Sequence, residues 1–442
     1  MTKDQILKRC EEENVRYVRL QFTDMMGVNK NVELPVDELP KALDGEIMFD
    51  GSSIEGFARI EESDMILSPD FDTFVIFPWI EENSQGKIAR IICDIKLPDG
   101  SDFDGCPRTI LKKVCKEAEE MGYELFAGPE AEFFLFELDD HGNITTKTHD
   151  KAGYFDLAPI DKGEIARRAI VQVLESIGFD VEAAHHEVAH GQHEIDFRYE
   201  NAIKTADNIA TFRFVVRKVA SQFGLHATFM PKPVFGINGS GMHTHMSLFR
   251  NGDNVFYDEK AEYQLSEEAL YFIGGLLEHA KAFVAITNPL VNSYKRLVPG
   301  YEAPVNIAWS EKNRSPLIRV PAKRGNGTRV EVRVPDPSAN PYLALAVMLK
   351  SGLDGIKRKI TPPPPVNKNI YTMSVREKRR HKISELPPNL YEAVKNLEKD
   401  EVLVEALGKH ISEQYVKAKL SEWQEYISQV HQWELDNYLG YY

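Results

Sequence analysis

A short apolar segment that contains two glutamates places the strongest constraint on how this chain can fold. In residues 128–136 (GPEAEFFLF), Glu130 and Glu132 lie two positions apart in a run that otherwise predicts a buried strand. Because alternate residues of a strand share a face, both carboxylates project from the face that Phe134 and Phe136 continue. Burying two like charges side by side is costly unless a cation compensates them. We therefore interpret the pair as oxygen ligands for a hard divalent metal ion, in preference to an exposed acidic strand.

The composition is that of a long and strongly acidic chain. The 442 residues are 43% hydrophobic, and 53 Lys and Arg stand against 68 Asp and Glu, which gives a net charge of −15. This charge disfavours direct binding to nucleic acid or to anionic membranes, although a local basic pocket for phosphate is compatible with it. Four cysteines without a CxxC pair predict neither a disulfide framework nor structural zinc. With no apolar signal segment and no membrane-spanning run, we expect a cytoplasmic protein.

The predicted elements divide the chain near residue 100. Residues 17–24 and 30–34 alternate around a turn and predict a hairpin, and strands are also predicted at 72–78 and 87–95. A turn signal at 98–102 ends this strand-rich part. Apolar residues then recur at helical spacing over 108–121, 164–177, 206–223, 266–287 and 342–349, and from about residue 390 onward. We expect an α+β chain with a small mixed domain at 1–100 and a large domain at 101–442.

A second acidic pair is predicted in a hairpin over residues 185–196. With His190 and Gly191 at the tip, Glu187 and Glu194 lie opposite each other on one face. Directly opposed like charges destabilise a strand pair, so this arrangement also indicates a cation, with an exposed acidic hairpin as the alternative. The neighbouring histidines allow zinc, but a ligand set that consists mostly of oxygen favours magnesium or manganese.

Two more segments carry groups suited to binding anions. Residues 235–248 begin with a glycine-rich turn that frees backbone amides and continue as a strand with three polar residues on one face: His243, His245 and Ser247. On another predicted strand, Arg329 and Arg333 flank Glu331 and could bind phosphate or carboxylate, or could form a salt-bridge ladder. No Walker A motif occurs and no complete GxGxxG opens a helix, so neither a P-loop nor a Rossmann nucleotide site is predicted.

Taken together, these segments resemble the glutamine synthetases of bacterial type I. The matching motifs run in order from about residue 22 to the C-terminus: FDGSSI at 49–54, GPEAEFF at 128–134, KP at 232–233 with NGSGMH at 238–243, NSYKR at 292–296, YEAP at 301–304, NRS at 313–315 and EVR at 331–333. The resemblance implies a β-grasp-like N-terminal domain and a catalytic domain with a curved antiparallel sheet flanked by helices. It also implies ATP-dependent ligation of ammonium to L-glutamate through γ-glutamyl phosphate, which gives L-glutamine, ADP and phosphate.

The resemblance assigns individual residues to ligands. One divalent ion, Mg²⁺ or Mn²⁺, would be held by Glu132, Glu187 and Glu194, and a second by Glu130, His243 and Glu331. L-Glutamate would be bound by Asn238, Gly239, Arg296, Glu302 and Arg333. ATP would contact Glu182, His245, Ser247, Arg314 and Arg319, the two arginines holding its phosphates. As catalytic residues, Asp50 would bind ammonium and help to deprotonate it, Arg314 would stabilise the phosphoryl group in transfer, and Glu302 would close the site over the intermediate.

Assembly and regulation follow from the same resemblance. It implies a dodecamer of two stacked hexamers, in which Asp50 acts in the active site of a neighbouring subunit. Ser384 stands where adenylylated relatives carry the modified tyrosine, so control by adenylylation is not expected. Arg59 resembles the arginine that mediates glutamine feedback in the shorter subgroup, whose members also bind a nitrogen-regulatory transcription factor.

Two alternative functions are open at this point. A γ-glutamyl ligase for an organic amine would keep the fold and the ATP chemistry, but Asp50 and Glu302 match the small ammonium pocket. A non-catalytic regulatory relative would have no need for six metal ligands and a full set of arginines. We therefore expect a catalytic glutamate–ammonia ligase.

Overall fold

The first hundred residues form a five-stranded sheet packed against helices. The computed structural model describes residues 1–54, 56, 64–80, 85–368 and 370–442. In chain order the first elements are α1 (Lys3–Glu12), β1 (Val15–Thr23), β2 (Asn29–Pro35), α2 (Leu39–Leu43), β3 (Met48–Asp50), β4 (Asp64–Ile80) and β5 (Lys87–Lys96). The strand order is β2-β1-β5-β4-β3, and only β1 and β5 are parallel neighbours. The predicted β1–β2 hairpin is confirmed.

The rest of the chain forms two further sheets and the helices around them. Its strands are β6 (Glu124–Ala131), β7 (Phe133–Leu138), β8 (Ile144–Thr148), β9 (Val181–His186), β10 (Gln192–Phe197), β11 (Glu200–Asn201), β12 (Leu225–Thr228), β13 (Met242–Arg250), β14 (Asp253–Asn254), β15 (Asn306–Ser310), β16 (Pro316–Arg319), β17 (Val330–Val332) and β18 (Ser384–Glu385). Its helices are α3 (Pro107–Glu120), α4 (Glu164–Ser176), α5 (Ala202–Gln222), α6 (Glu267–Glu278), α7 (Ala280–Thr287), α8 (Ser293–Arg296), α9 (Pro341–Arg358), α10 (Val375–Arg380), α11 (Leu390–Leu397), α12 (Glu401–Ile427) and α13 (Gln432–Tyr438).

These strands are divided between a long sheet and a short one. The long sheet has the order β11-β6-β13-β17-β16-β15-β18, with β14 paired to β13, and the short sheet has the order β12-β7-β10-β9, with β8 paired to β7. Neighbouring strands are antiparallel except for the parallel pair β15 and β16. The α+β class is confirmed, and the antiparallel sheet expected for the large domain takes the form of two sheets. The chain passes from the long sheet to the short one between β6 and β7.

A buried arginine joins the first sheet to the large domain. Arg108 at the start of α3 is 4% exposed and contacts carboxylates from both parts of the chain. Its Nη2 lies 2.6 Å from Oδ2 of Asp70 on β4, its Nη1 lies 3.0 Å from Oδ1 of Asp94 on β5, and its Nε lies 2.9 Å from Oδ1 of Asp207 on α5. Charge-assisted hydrogen bonds in a buried setting are strong, so this contact orients the two domains.

The helix predicted over 266–287 is wrong, because the chain bends by 75° between α6 and α7. At the bend, the ring of His279 is 5% exposed and bonds two distant carboxylates. Nε2 lies 3.0 Å from Oδ2 of Asp354, and Nδ1 lies 2.6 Å from Oδ2 of Asp400. In the described part of the chain no single helix is long and apolar enough to cross a membrane; α6 and α7 meet that test only when they are taken together.

We expect the His279→Gln variant to be less stable than the parent protein, and the difference to be larger at pH 6 than at pH 9. Burial lowers the pKa of His279, but its bonds to Asp400 and Asp354 outweigh burial and raise the pKa. The stabilisation is therefore complete below the unfolded pKa of about 6.5 and is lost as the pH rises through the folded pKa. Thermal unfolding at both pH values measures it, with a loss of about 1.5–3 kcal/mol at pH 6. The exposed His141→Gln is the control, and a pH-independent difference would contradict the expectation.

Candidate functional site

Glu130 and Glu132 lie where the chain leaves the long sheet and enters the short one. Glu130 is on β6, opposite His243 on β13. Glu132 is the single residue between β6 and β7, and its Oε2 accepts hydrogen bonds from Nε2 of Gln192 at 2.8 Å and from the backbone N–H of Gly241 at 2.9 Å. The run predicted as one strand is therefore two strands in different sheets. This change of sheet separates the two carboxylates: Glu130 joins a group of candidate metal ligands, whereas Glu132 belongs to neither of the two groups described below.

The first group combines Glu130, His243 and Glu331 from the adjacent strands β6, β13 and β17. Each offers a ligand atom within 4.8 Å of the others. Nδ1 of His243 lies 3.7 Å from Oε2 of Glu130 and 3.8 Å from Oε1 of Glu331. These distances are too long for hydrogen bonds, but they suit donors that each lie about 2.1 Å from a shared ion. Both Arg319 and Arg333 contact Glu331, the latter through Nε at 3.1 Å.

The second group combines His185, Glu187 and Glu194 on the β9–β10 hairpin, again with ligand atoms within 4.8 Å of one another. The predicted register is wrong: Glu194 pairs with His185, and the backbone N–H of Glu187 donates to the carbonyl of Gln192 at 2.8 Å. The turn closes earlier than predicted, since the N–H of Gln192 donates to the carbonyl of Ala189 at 3.0 Å. Glu187 and Glu194 nevertheless share a face as diagonal neighbours. His185 joins them because it lies two residues before Glu187.

Glu132 faces a narrow cavity of about 30 Å³ beside both groups. The lining contains Glu132, Glu187 and His243 together with the residues predicted to bind L-glutamate: Asn238, Gly239, Arg296, Glu302 and Arg333. A glycine is needed at Gly241, because a Cβ there would lie 2.6 Å from Nη2 of Arg296 and 3.1 Å from Nε2 of His243. Glu302 takes a φ of +52°, which non-glycine residues seldom adopt, and its Oε2 lies 3.4 Å from Nδ2 of Asn238.

Burial and mutual repulsion act on the carboxylates nearest this cavity. Burial raises the pKa of Glu132, and the charges of Glu187 and Glu194 raise it further. Burial likewise raises the pKa of Glu187. It also raises the pKa of Glu194, which the negative charge of Asp196 raises further. The pKa of Asp196 itself is raised to about 7, chiefly by burial. A bound divalent cation would offset this repulsion, and the oxygen-rich donor set fits such an ion.

The first group is charge-balanced by the protein. Burial raises the pKa of Glu130, but the neighbouring His243 and His245 outweigh burial and lower it. The pKa of Glu331 is lowered in the same way, because His243, His245 and Arg333 outweigh its burial. The ionised form that binds a cation is therefore favoured for Glu130 and Glu331, whereas burial and repulsion disfavour it for the carboxylates near Glu132.

A larger cavity of about 460 Å³ opens on the other side of Glu130. Three residues predicted to contact ATP line it: Glu182, His245 and Ser247. His245 links this cavity to the first group, since its Nε2 lies 2.7 Å from Oε1 of Glu130 and its Nδ1 accepts from Nε of Arg329 at 3.0 Å. The sequence interpretation missed Lys323 and Arg324 as lining residues, because they lie in an irregular segment without a motif. The volume of this cavity is that of a small-molecule site, and its lining carries three basic residues, Lys323, Arg324 and Arg329, beside three acidic ones, Glu130, Glu182 and Asp196.

Asp50, Arg314 and Arg319 line neither of these two cavities. Asp50 ends β3 in the first sheet, where one of its oxygens accepts from the backbone N–H of Ser52 at 2.8 Å. Arg314 is exposed in the loop between β15 and β16, and Arg319 at the end of β16 contacts Glu331 without lining either cavity. Arg59 lies outside the described residues.

Fold and site together define a two-domain α+β protein with a carboxylate-rich candidate metal centre beside a ligand-sized cavity. The family model of the glutamine synthetase β-grasp domain matches residues 14–98, and that of the glutamine synthetase catalytic domain matches residues 104–438. The chain therefore belongs to the glutamine synthetase family.

Full-length relatives support this membership. The chain is 63% identical to the glutamine synthetase of Thermus thermophilus and 58% identical to that of Clostridium saccharobutylicum, and each match covers 100% of this chain and 99% of the relative. A solved structure of GmaS with ADP is 32% identical with a TM-score of 0.89, covering 98% of this chain and 99% of that one. Plasmodium falciparum glutamine synthetase is 29% identical with a TM-score of 0.87, covering 99% of both chains.

We expect the affinity for Mn²⁺ to fall as the pH decreases from 8 to 6. The raised pKa values of Glu132, Glu187 and Glu194 mean that protons compete with the cation at the lower pH. Each site that must lose a proton weakens binding about tenfold per pH unit below its pKa. Titrations followed by the electron paramagnetic resonance of free Mn²⁺ measure the affinity, and calorimetry in buffers of different ionisation enthalpy counts the protons released. Equal affinity at both pH values, with no proton release, would contradict this expectation.

Proposed function

We propose that two divalent metal ions, Mg²⁺ or Mn²⁺, bind in the acidic centre, which we define as Glu130, Glu132, Glu187, Glu194, His243 and Glu331. By its membership of the glutamine synthetase family over the whole chain, the protein is an ATP-dependent glutamate–ammonia ligase. The observation that carries the proposed site is the position of the acidic centre between two cavities. Glu130 borders the larger one, and Glu132, Glu187 and His243 border the smaller one.

Glu130, His243 and Glu331 would hold one ion, and Glu132, Glu187 and Glu194 the other. When bound, the ions would neutralise the carboxylates and stabilise charge on the phosphoryl group that passes from ATP to the substrate carboxylate. The contacts between Glu331 and both Arg319 and Arg333 would keep this carboxylate oriented between the two substrates.

The residues that line the smaller cavity suit L-glutamate through two buried arginines, although its volume of about 30 Å³ holds only about one or two waters until the lining moves apart. Nη1 of Arg333 is buried without a hydrogen-bond partner among the described residues, so it is a donor available to a substrate carboxylate. Arg296 is held by the backbone carbonyl of Val334 at 2.8 Å. Asn238 and Gly239 would add polar contacts to the substrate, and Glu302, which lines this cavity with an unusual backbone conformation, would close the site and exclude water.

The larger cavity suits ATP. Its volume of about 460 Å³ lies within the range of small-molecule sites, and Lys323, Arg324 and Arg329 supply positive charge that offsets the acidic Glu130, Glu182 and Asp196 of the same lining. Glu182, His245 and Ser247 would contact the nucleotide. Arg314 and Arg319 would hold the phosphates from outside the cavity and stabilise the phosphoryl group in transfer, because arginine binds phosphate with two parallel hydrogen bonds.

We propose that Asp50 acts in an active site shared between subunits. It lines neither cavity of its own chain, so it would bind and deprotonate ammonium in a neighbouring subunit. A shared active site fits the proposed homododecamer of two stacked hexamers. Within each chain, we propose a boundary between the two domains near residue 100. We further propose a cytoplasmic enzyme that has no direct role in binding nucleic acid or membranes and that binds a nitrogen-regulatory transcription factor.

We expect ATP-dependent phosphate release with L-glutamate to require ammonium. Phosphate release is measured with ammonium and, separately, with putrescine and other primary amines at equal concentration. A preference for an organic amine would overturn the assignment of ammonium as substrate.

The same assay tests the metal centre. Glu132→Ala should reduce phosphate release to background while the oligomer stays assembled in size-exclusion chromatography. Glu137→Ala is the matched control, since Glu137 on β7 is also glutamate but contacts only the exposed Lys147 among its charged neighbours in the described part. Full activity of the Glu132→Ala variant would rule out its role as a metal ligand.

Direct inhibition by the product is the proposed form of regulation. We expect Arg59→Ala to raise the glutamine concentration needed for half-inhibition, because the side chain would bind the glutamine carboxylate. Initial rates at fixed substrate and increasing L-glutamine measure this, with Arg16→Ala in the same domain as a control. An unchanged inhibition curve for Arg59→Ala would contradict this role.

A further inference from the structure

A second set of buried charged and imidazole side chains lies behind the β9–β10 hairpin. We name it the hairpin network and define it as His149, Asp150, Asp161, Arg167, His186 and His193. All six residues are buried, with exposed fractions between 0% and 8%. His186 and His193 pair across the hairpin. Because they neighbour Glu187 and Glu194 in sequence, their side chains lie on the opposite face from these two carboxylates.

Asp150 binds one side of the hairpin turn. Its Oδ1 accepts from the backbone N–H of Gly191 at 3.1 Å and from Nε2 of His186 at 3.2 Å. Nδ1 of the same His186 ring donates to the backbone carbonyl of Glu187 at 2.7 Å. The carboxylate of Asp150 therefore connects two backbone groups that flank the turn: the N–H of Gly191 directly, and the carbonyl of Glu187 through the ring of His186.

Arg167 holds the other strand. Its Nη2 donates to Oδ2 of Asp161 at 2.7 Å, and its Nη1 donates to Nδ1 of His193 at 2.8 Å. Arginine can only donate, so Nδ1 of His193 is the acceptor and the ring is fixed in one tautomer. His193 directly precedes Glu194 on β10. The two hydrogen bonds of the Arg167 guanidinium therefore hold the strand that carries the Glu194 carboxylate.

We infer that the hairpin network is a positioning device for the metal centre. It fixes the backbone at Glu187 and next to Glu194 from the face opposite to their carboxylates, and so sets the distance between two groups that repel each other. Without such a support, the two carboxylates would repel each other and open the turn whenever both are ionised and no cation is bound. The inference rests on the proposed role of Glu187 and Glu194 as metal ligands.

The network does not have the features of a metal site of its own. Each carboxylate oxygen already accepts from a protein donor: the backbone N–H of Lys162 bonds the second oxygen of Asp150, and the backbone N–H of Gly163 bonds the second oxygen of Asp161. The guanidinium of Arg167 supplies positive charge, which disfavours a divalent ion beside it. The backbone of Gly163 packs closely against both imidazole rings, since a Cβ at this position would lie only 2.6 Å from Nε2 of His193 and 2.7 Å from Nε2 of His149.

The test is the Asp161→Asn variant of the full-length enzyme, which keeps the shape of the side chain and removes its charge. We expect Mn²⁺ affinity, followed by electron paramagnetic resonance, to fall about 10- to 100-fold, as is usual when a residue that orients metal ligands is changed. Turnover should return to within a few-fold of the parent enzyme at saturating Mn²⁺. If Asp161→Asn does not fold, Arg167→Lys serves instead, because lysine keeps the charge but lacks the rigid fork.

Two further variants separate the possible outcomes. His279→Gln also disrupts a buried histidine–carboxylate contact, but at the α6–α7 bend, and should lower the melting temperature without changing Mn²⁺ affinity. If Asp161→Asn behaves in the same way, the network is structural only and the positioning role is overturned. Glu194→Gln tests the proposed metal ligand itself. If this variant binds Mn²⁺ with unchanged affinity, the proposed metal centre is wrong. If Glu194→Gln loses Mn²⁺ affinity and Asp161→Asn does not, only the positioning role is overturned. One equivalent of zinc that is bound by the parent enzyme and lost in Asp161→Asn would also overturn it.

Discussion

Repulsion among buried carboxylates is the constraint on which the rest of the structure depends. Glu132, Glu187 and Glu194 are brought close together with little water around them, and burial and mutual repulsion raise their pKa values. The neutral donors Gln192 and Gly241 bond Glu132, but they do not cancel its charge. The charge of Arg296 lowers the pKa of Glu132 in part, and a bound divalent cation would favour the ionised form of all three carboxylates further.

The other half of the site is arranged differently. Glu130 and Glu331 lie among histidines and arginines that lower their pKa values, so they are ionised before any metal binds. The two halves meet because β6 and β7 belong to different sheets and only Glu132 separates them. Glu130 and Glu132 are only two residues apart. Covalent geometry therefore limits the distance between the charge-balanced group around Glu130 and the carboxylates around Glu132. A short acidic strand in the sequence becomes the element that spaces the two proposed ions.

Local patterns predicted much of this, and long-range contacts account for what they missed. The i, i+2 rule indicated that Glu130 and Glu132 are ligand candidates, cross-strand pairing in the predicted hairpin indicated the same for Glu187 and Glu194, and alternation identified the β1–β2 hairpin. The rule could not give the hairpin register, because the turn is closed by Gln192 and held by Asp150, which is remote in sequence. Periodicity likewise continued a helix through His279, whose partners Asp354 and Asp400 are 75 and 121 residues away.

The hairpin network explains why a register that local rules predict wrongly can still be well determined. Repulsion between Glu187 and Glu194 favours any pairing that separates them, and the diagonal register observed here is one that increases their distance while keeping both on one face. Repulsion alone would not stop there, since an open turn separates the charges further. The bonds of Asp150 and Arg167 on the opposite face oppose that opening. The geometry of the candidate metal centre is therefore a balance between charge on one face of the hairpin and hydrogen bonds on the other.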